Sequence, residues 1–240
     1  MTERMSGTLY VVGTPIGHLK DITLRALEVL KGSDLIAAED TRRTQKLLAA
    51  YDLHVPLTSF HAHNQQAKTP GLVERLRQGQ TISLVTDGGT PGISDPGREL
   101  VRQARDAGLA VVPIPGASAA ICALSVSGWE TDAFVFLGFL PKRKSRRRRI
   151  LQEMAAQDRV VVLYESPFRL KALLTELQEE LGDVEILLTR EMTKMYEEIR
   201  LGRVRELIAE LRERTIKGEI TLVVRPERET KSEEQGWNEP

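Results

Sequence analysis

Four short apolar runs in the first half of the chain each end in a loop of glycine, proline or acidic residues, and this repetition restricts the fold more than any other feature. The runs are 8–12, 35–38, 81–85 and 110–114. Helical patterns separate them. In 23–30, Leu24, Leu27 and Leu30 share a helical face and Gly32 supplies a stop; 44–50 and 100–107 read the same way, and an apolar helix runs from Ser118 to Ser127. Strands that alternate with helices, and are apolar without interruption, predict a parallel sheet covered by helices.

The pattern breaks at Gly128-Trp-Glu-Thr131, which sets an expected domain boundary. The second half has its own set: strands at 134–140, 160–164, 185–189, 198–201 and 219–224, and helices at 145–156, 170–181 and 204–213. The close spacing around 197–202 predicts at least one antiparallel pair, hence a mixed sheet. The expectation is two α/β domains, 1–127 with a mainly parallel sheet and 128–226 with a mixed one. The polar stretch 227–240 is expected to be a disordered tail.

At 240 residues there is room for two modest cores, and 41% hydrophobic with 28% charged residues is ordinary for a globular protein. No apolar run approaches the roughly 18 to 20 residues of a membrane span. A single cysteine, Cys122, and the lack of an apolar leader point to a cytoplasmic protein. The 34 basic and 34 acidic residues cancel, which disfavours a general nucleic-acid clamp. One local exception stands out: Lys142-Arg-Lys-Ser-Arg-Arg-Arg-Arg149 holds seven basic residues in eight positions.

In an open parallel sheet, ligands bind beyond the carboxyl ends of the strands. Those ends here are Gly13-Thr-Pro-Ile-Gly17, Glu39-Asp-Thr-Arg42, Asp87-Gly-Gly-Thr-Pro-Gly92 and Pro115-Gly-Ala-Ser118. Any one of them could be a plain turn. The third continues to Gly97, however, whereas a strand-to-helix connection usually needs about two to six residues. A binding loop explains that length better. Pro15 stands where a dinucleotide fingerprint needs its second glycine, and no Gly-Lys-Ser/Thr follows a strand. No Gly-x-Ser-x-Gly elbow occurs, and His61-x-His63 has no third ligand nearby to make a metal site.

Nine blocks, in order from about Gly7 to Arg225, resemble the tetrapyrrole methylase superfamily and, within it, the bacterial 16S ribosomal RNA cytidine 2′-O-ribose methyltransferases. They include Leu9-Tyr-Val-Val-Gly-Thr-Pro-Ile-Gly17, Ala38-Glu-Asp-Thr-Arg42, Ser59-Phe-His-Ala-His-Asn64, the 86–97 loop, Pro113-Ile-Pro-Gly-Ala-Ser-Ala119, Tyr164-Glu-Ser-Pro-Phe-Arg169 and Gly218-Glu-Ile-Thr221. The resemblance implies two α/β domains, S-adenosylmethionine (SAM) in the cleft between them, a homodimer, and no metal. Carried over by position, it assigns the cofactor to Gly13, Pro15, Gly88, Gly89, Thr90, Ile93, Ser118 and Ala119 in the first half. In the second half it assigns Tyr164, Glu165, Glu219 and Ile220. Many members have Gly-Asp-Pro where this chain has Gly89-Thr90-Pro91, so Thr90 lacks their carboxylate. Asp87, close by in sequence, is the expected substitute.

The implied substrate is 16S ribosomal RNA, on the assembled small (30S) subunit. A ribose hydroxyl becomes a good nucleophile when its proton is removed, and strand-end carboxylates Glu39 and Asp40 are the candidate bases, with Asp87 as a third. Asp40 reads equally well as a helix cap. Arg42 is expected to orient a phosphate or the catalytic carboxylate. Arg146, Arg147, Arg148 and Arg149 are expected on RNA phosphates, although a charged helix face is the plainer alternative. A tetrapyrrole or corrin methylase, and a non-catalytic RNA-binding assembly factor, are the competing functions.

Overall fold

A computed structural model describes residues 7–226. The expected tail, 227–240, lies outside the described residues. The chain divides into two compact units: residues up to Cys122 together with Glu191–Glu197, and Ala123–Arg190 together with the chain from Glu198 onward.

In the first unit the strands β1 (Thr8–Val12), β2 (Leu35–Ala38), β3 (Leu57–Ser59), β4 (Ile82–Val85) and β5 (Ala110–Ile114) form one sheet in the order β3-β2-β4-β1-β5. Every pair is parallel. The apolar runs are continuous because both faces are covered. Leu35 and Ala37 face one cluster with Ile82, Leu84, Leu72, Leu76 and Leu100, while Ile36 and Ala38 face another with Leu30, Leu47, Leu48 and Val85. The first cluster is closed by α3 (Gln65–Arg77) and α4 (Arg98–Asp106), the second by α1 (Leu24–Lys31) and α2 (Thr41–Ala50). Thr23 caps α1 by accepting from the Ala26 N–H at 3.1 Å, and α5 (Ala119–Ser125) follows β5.

Two elements here escape the sequence reading. β3 is only three residues long, and α3 carries Pro70-Gly71 in its interior, a dipeptide that ordinarily marks a turn. The signal for α3 was its buried Thr69, Leu72, Val73 and Leu76, spaced as one helical face. The stretch His61 to Asn64 is therefore the turn from β3 into α3.

In the second unit β6 (Phe134–Phe139), β7 (Val160–Glu165), β8 (Glu185–Arg190), β9 (Glu198–Arg203) and β10 (Ile220–Arg225) pair in the order β6-β7-β10-β8-β9. β6 and β7 are parallel and the other three pairs antiparallel, the mixed sheet expected. α6 (Lys144–Ala155), α7 (Leu170–Leu181) and α8 (Val204–Leu211) contribute Leu151, Leu173, Leu174, Leu177 and Leu207 to one cluster with alternate strand residues Val161, Leu163, Ile186, Leu188, Leu222 and Val224. Alternation in the strands and the helical stripe thus meet in one core.

The division at Cys122 falls inside α5, a few residues before the Gly128 interruption, and Glu191–Glu197 returns to the first unit. There the Thr193 Oγ1 accepts from the His18 N–H at 3.1 Å. A side chain at Gly17 would meet that same oxygen at 2.6 Å.

Candidate functional site

Three of the four loops at the carboxyl edge of the first sheet close on one another mainly through backbone, with the Thr14 hydroxyl donating to the Thr86 carbonyl at 3.2 Å. Gly13 N–H donates to the Ile114 carbonyl at 3.0 Å, and Thr14 and Gly89 exchange two hydrogen bonds, each 2.9 Å. A Cβ on Gly13 would come within 2.8 Å of Gly116 Cα, and one on Gly116 within 2.7 Å of the Gly13 carbonyl. Only glycine fits at either position. Gly88 lies against the Pro15 carbonyl, which its Cβ would meet at 3.1 Å. Gly89 (φ +92°) and Gly97 (φ +141°) hold backbone that other residues rarely adopt. The long loop is also tied to itself, by Gly92 N–H to the Pro96 carbonyl (3.2 Å) and Ile93 N–H to the Thr90 carbonyl (3.3 Å).

Gly13, Pro15, Gly88, Gly89 and Thr90 are thereby brought together. Ala117, next to Ser118 and Ala119, joins them, its carbonyl 3.9 Å from a Cβ on Gly89. Ser118 accepts from Cys122 N–H at the start of α5. Ile93 projects at the loop tip, half exposed. At the root of the loop, Thr86 Oγ1 is buried with no hydrogen-bond partner among the described residues. An orphaned hydroxyl beside a cradle without Cβ atoms suits a ligand recognised through backbone and small polar groups, and fits the cofactor that the resemblance implies.

The fourth loop joins through side chains. Asp87 Oδ1 accepts from the Asp40 N–H at 3.0 Å, and Asp87 N–H donates to Glu39 Oε2 at 3.4 Å. Arg43 Nη1 lies 3.5 Å from Asp87 Oδ2. Asp87, expected to replace the carboxylate missing at Thr90, is thus turned toward the β2 loop and holds it against the glycine loop.

Glu39 and Asp40, adjacent in sequence, end in opposite electrostatic states. Burial pushes the Glu39 carboxyl up from its ordinary value and the Asp87 charge adds to this, against the pull of the Asp87 N–H, Arg43 and His61. Hydrogen bonds from the Arg42 guanidinium hold the Asp40 carboxyl far below the usual carboxylate range. Asp40 caps α2, its Oδ1 accepting from Arg42 N–H at 2.9 Å, and Arg42 grips both its oxygens at 3.0 and 2.7 Å. The cap reading of Asp40 is the one the geometry supports, since a carboxylate so engaged is a poor proton acceptor. Arg42 orients this carboxylate.

His61 follows β3, whose neighbour β2 ends at Ala38, one residue before Glu39. Its N–H donates to Asn64 Oδ1 at 2.8 Å, and Asn64 Nδ2 meets its Nε2 at 3.1 Å. Arg43 and Thr86 are the participants that sequence reasoning left without a role. His61 and Gly116 lay in stretches it had singled out, the Ser59 to Asn64 block and the Pro-Gly loop after the fourth strand.

In the second unit, Tyr164 and Glu165 pair with Thr221 and Ile220 across β7 and β10, while exposed Glu219 precedes β10. The Tyr164 ring meets Phe136 and Phe139 edge-on, at 5.0 and 5.8 Å between centroids. Glu165 is turned inward, its Oε1 accepting from Ser166 N–H (2.6 Å) and Arg169 Nε (2.7 Å). That commits it to shaping the loop after β7.

The basic run divides as well. Arg147 is largely buried, forked onto Glu176 at 2.5 and 2.6 Å, and donates to the Pro141 and Lys142 carbonyls at 3.0 and 3.1 Å. Four of its five N–H groups are used inside the unit, so it is a structural arginine and not one of the phosphate contacts expected. Arg148 pairs with Glu180 and Arg149 with Glu153. Lys142, Arg143 and Arg146 are exposed and make no ion pair among the described residues. The first turn of α6 holds no acid, although the helix dipole there favours one. No cluster of metal-ligating side chains occurs among the described residues, nor any helix long and apolar enough to cross a membrane.

A five-stranded parallel sheet with a glycine-lined carboxyl edge, followed by a five-stranded mixed sheet, is the architecture of a class of α/β methylases. The solved uroporphyrin-III C-methyltransferase of Thermus thermophilus shares it, with TM-score 0.62 and 25% identity over 90% of this chain and 94% of that one. The model of the tetrapyrrole (corrin/porphyrin) methylases matches residues 8–208, and the chain belongs to that family. Its similarity to proteins named ribosomal RNA small subunit methyltransferase I is much greater. That of Halalkalibacterium halodurans is 48% identical over 96% of this chain and 80% of its own length, and that of Synechocystis 50% identical over 91% and 78%.

Proposed function

We propose that the protein is a SAM-dependent methyltransferase that methylates the 2′-hydroxyl of a cytidine in 16S ribosomal RNA. The observation that carries this reading is near-50% identity, across more than nine-tenths of the chain, to ribosomal RNA small subunit methyltransferases. No solved tetrapyrrole methylase named above comes near that figure. The intact glycine loops, with no room for a Cβ at Gly13 or Gly116 and little at Gly88, disfavour a non-catalytic assembly factor that has lost the cofactor.

When bound, SAM supplies a methyl group activated on a sulfonium. The backbone of Gly13, Pro15, Gly88, Gly89 and Thr90 would hold it, with Ile93, Ser118 and Ala119 at the margins and Thr86 Oγ1 as a polar contact. Fixing the methyl in line with an incoming oxygen is most of the catalysis required. Glu39 accepts the ribose hydroxyl proton as the new carbon–oxygen bond forms. Its raised affinity for a proton makes it a better acceptor than an exposed carboxylate. Asp87 and Arg43 hold it in place, and Asp40 fixes the helix behind it. On the RNA side, Arg146 leads, together with Lys142 and Arg143.

The remaining parts of this proposal rest on the resemblance: a cofactor cleft between the domains, contributions from Tyr164, Glu219 and Ile220, a homodimer, a cytoplasmic location, and the assembled 30S particle as substrate. Methylation of 30S particles from a strain lacking the enzyme, with mass spectrometry of the resulting nucleosides, tests the whole reading. Label in 2′-O-methylcytidine is expected; label in a porphyrinoid and none in RNA would overturn it.

A further inference from the structure

β6 and β7 run parallel, so the segments that follow them leave the same edge of the second sheet. Two buried-side arginines lock those segments by their carbonyls. Arg169 Nη1 donates to the Leu140 carbonyl at 3.2 Å and is anchored by Glu165, whose side chain is 1% exposed. Arg147, anchored by Glu176, holds the carbonyls of Pro141 and Lys142. Residues 140–142 and 165–169 therefore form one fixed platform.

What this platform displays is unusual. Phe168 is 95% exposed, on a loop whose neighbours Glu165 and Arg169 are committed to internal bonds. On the segment that Arg169 ties to this loop through the Leu140 carbonyl, Lys142, Arg143 and Arg146 stand exposed without ion pairs among the described residues, although Arg147, Arg148 and Arg149 of the same run have found carboxylates. A bare aromatic ring gains nothing for folding, and neither do unpaired like charges set close together. An aromatic face beside a track of cations is the composition that binds single-stranded nucleic acid: a base stacks on the ring, and the cations neutralise phosphates of the same strand.

We infer that Phe168 is a stacking platform for an unpaired base of the RNA substrate, and that Lys142, Arg143 and Arg146 take the phosphates beside it. This rests on the reading of the protein as a ribosomal RNA methyltransferase and adds to it the surface that grips the strand. Rigidity is part of the device, because the ring and the cations are presented by loops already fixed by Arg147 and Arg169.

The test uses the full chain as Phe168→Ala, Phe168→Leu and Phe168→Trp, with Arg146→Ala. Binding is measured with a fluorescein-labelled oligoribonucleotide free of secondary structure, and turnover with undermethylated 30S particles. Phe168→Ala and Phe168→Leu are expected to weaken RNA binding by about 5- to 100-fold, the range of a lost base stack, while Phe168→Trp retains it. KM for 30S particles should rise with kcat little changed. Arg146→Ala should lower the salt slope of binding by about one. Melting temperature and SAM affinity should stay at wild-type values in all four.

If wild type methylates 30S particles but Phe168→Leu or Phe168→Ala binds and turns over like it, the inference fails and the enzyme assignment stands. If Phe168→Ala converts a sedimenting dimer to monomer at unchanged RNA affinity, the ring belongs to an interface with a second copy, and the inference fails again. Absence of any methylation by wild type would instead remove the assignment beneath it.

Discussion

The two units each open a parallel strand edge, and they furnish it in opposite ways. The first edge is made largely of backbone: a Cβ has no room at Gly13 or Gly116 and little at Gly88, Gly89 holds a positive φ, and the polar side chains around them are mostly paired with one another. The second edge is made of side chains, with Phe168 and three unpaired cations standing out from loops held by Arg147 and Arg169. Backbone recognition suits a small ligand of constant shape, because it leaves no rotamer to choose. Projecting side chains suit a long charged partner, whose affinity grows with each phosphate neutralised.

The sharpest test of the first edge is Glu39→Gln, expected to lower kcat by about 10²- to 10⁴-fold with cofactor and RNA affinities preserved. The pH profile adds a second readout. Glu39's folded pKa lies above its ordinary 4.5, so wild-type activity should fall as pH drops through that raised value, and the limb should vanish in the variant. Linkage gives the matching stability sign. The contribution tied to protonated Glu39 is complete below 4.5 and lost as pH rises through the folded pKa, so Glu39→Gln should melt higher than wild type at pH 8 and converge with it near pH 4. Equal melting at both pH values would contradict the burial argument.

Next in size is Gly13→Ala. Its methyl must displace the Gly116 backbone at 2.8 Å, and calorimetry should show SAM affinity reduced by at least about tenfold, with RNA binding intact. Retained cofactor affinity would mean that the loops can part freely, and the contrast between the edges would lose its basis.

Within the basic run, Arg147→Ala and Arg146→Ala should separate cleanly. Arg147→Ala leaves Glu176 and two carbonyls without their donor and is expected to lower Tm by about 2–5 °C. Arg146→Ala should leave Tm unchanged while weakening RNA binding and lowering its salt dependence. Identical behaviour of the two would return the run to a uniform charged face. The smallest effect is expected from Thr86→Val, which removes a buried hydroxyl without a partner: Tm without ligand should rise by about 1–2 °C while SAM affinity falls a few-fold. A fall in Tm would show that the hydroxyl is satisfied after all.

Much of the fold was legible because it is encoded at short range. Strand-length apolar runs, the helical pattern of α7 and the stop at Gly32 all lie within a few residues of their partners, and the observed elements follow them closely. β3 and α3 were missed for a local reason too: three residues are too few for a period, and Pro70-Gly71 imitates a turn. The site was half legible. Glycine-rich strand ends announced themselves, but sequence treated Arg146 and Arg147 as equals and left Asp40 balanced between base and cap.

By itself, then, the sequence determined the alternation of strands and helices, the mixed second sheet and the glycine-rich carboxyl edge, since each is written in residue types at fixed local spacing, while the methyl-donor cofactor came from the family resemblance. Only the tertiary structure decided what each charge is for. Asp87 meets Asp40 across 47 positions, Arg147 meets Glu176 across 29, and Glu191–Glu197 rejoins the first unit from far along the chain. Such pairs exist only once the sheets have closed, and whether a charge is spent on a neighbour or left for a ligand is set by that closure.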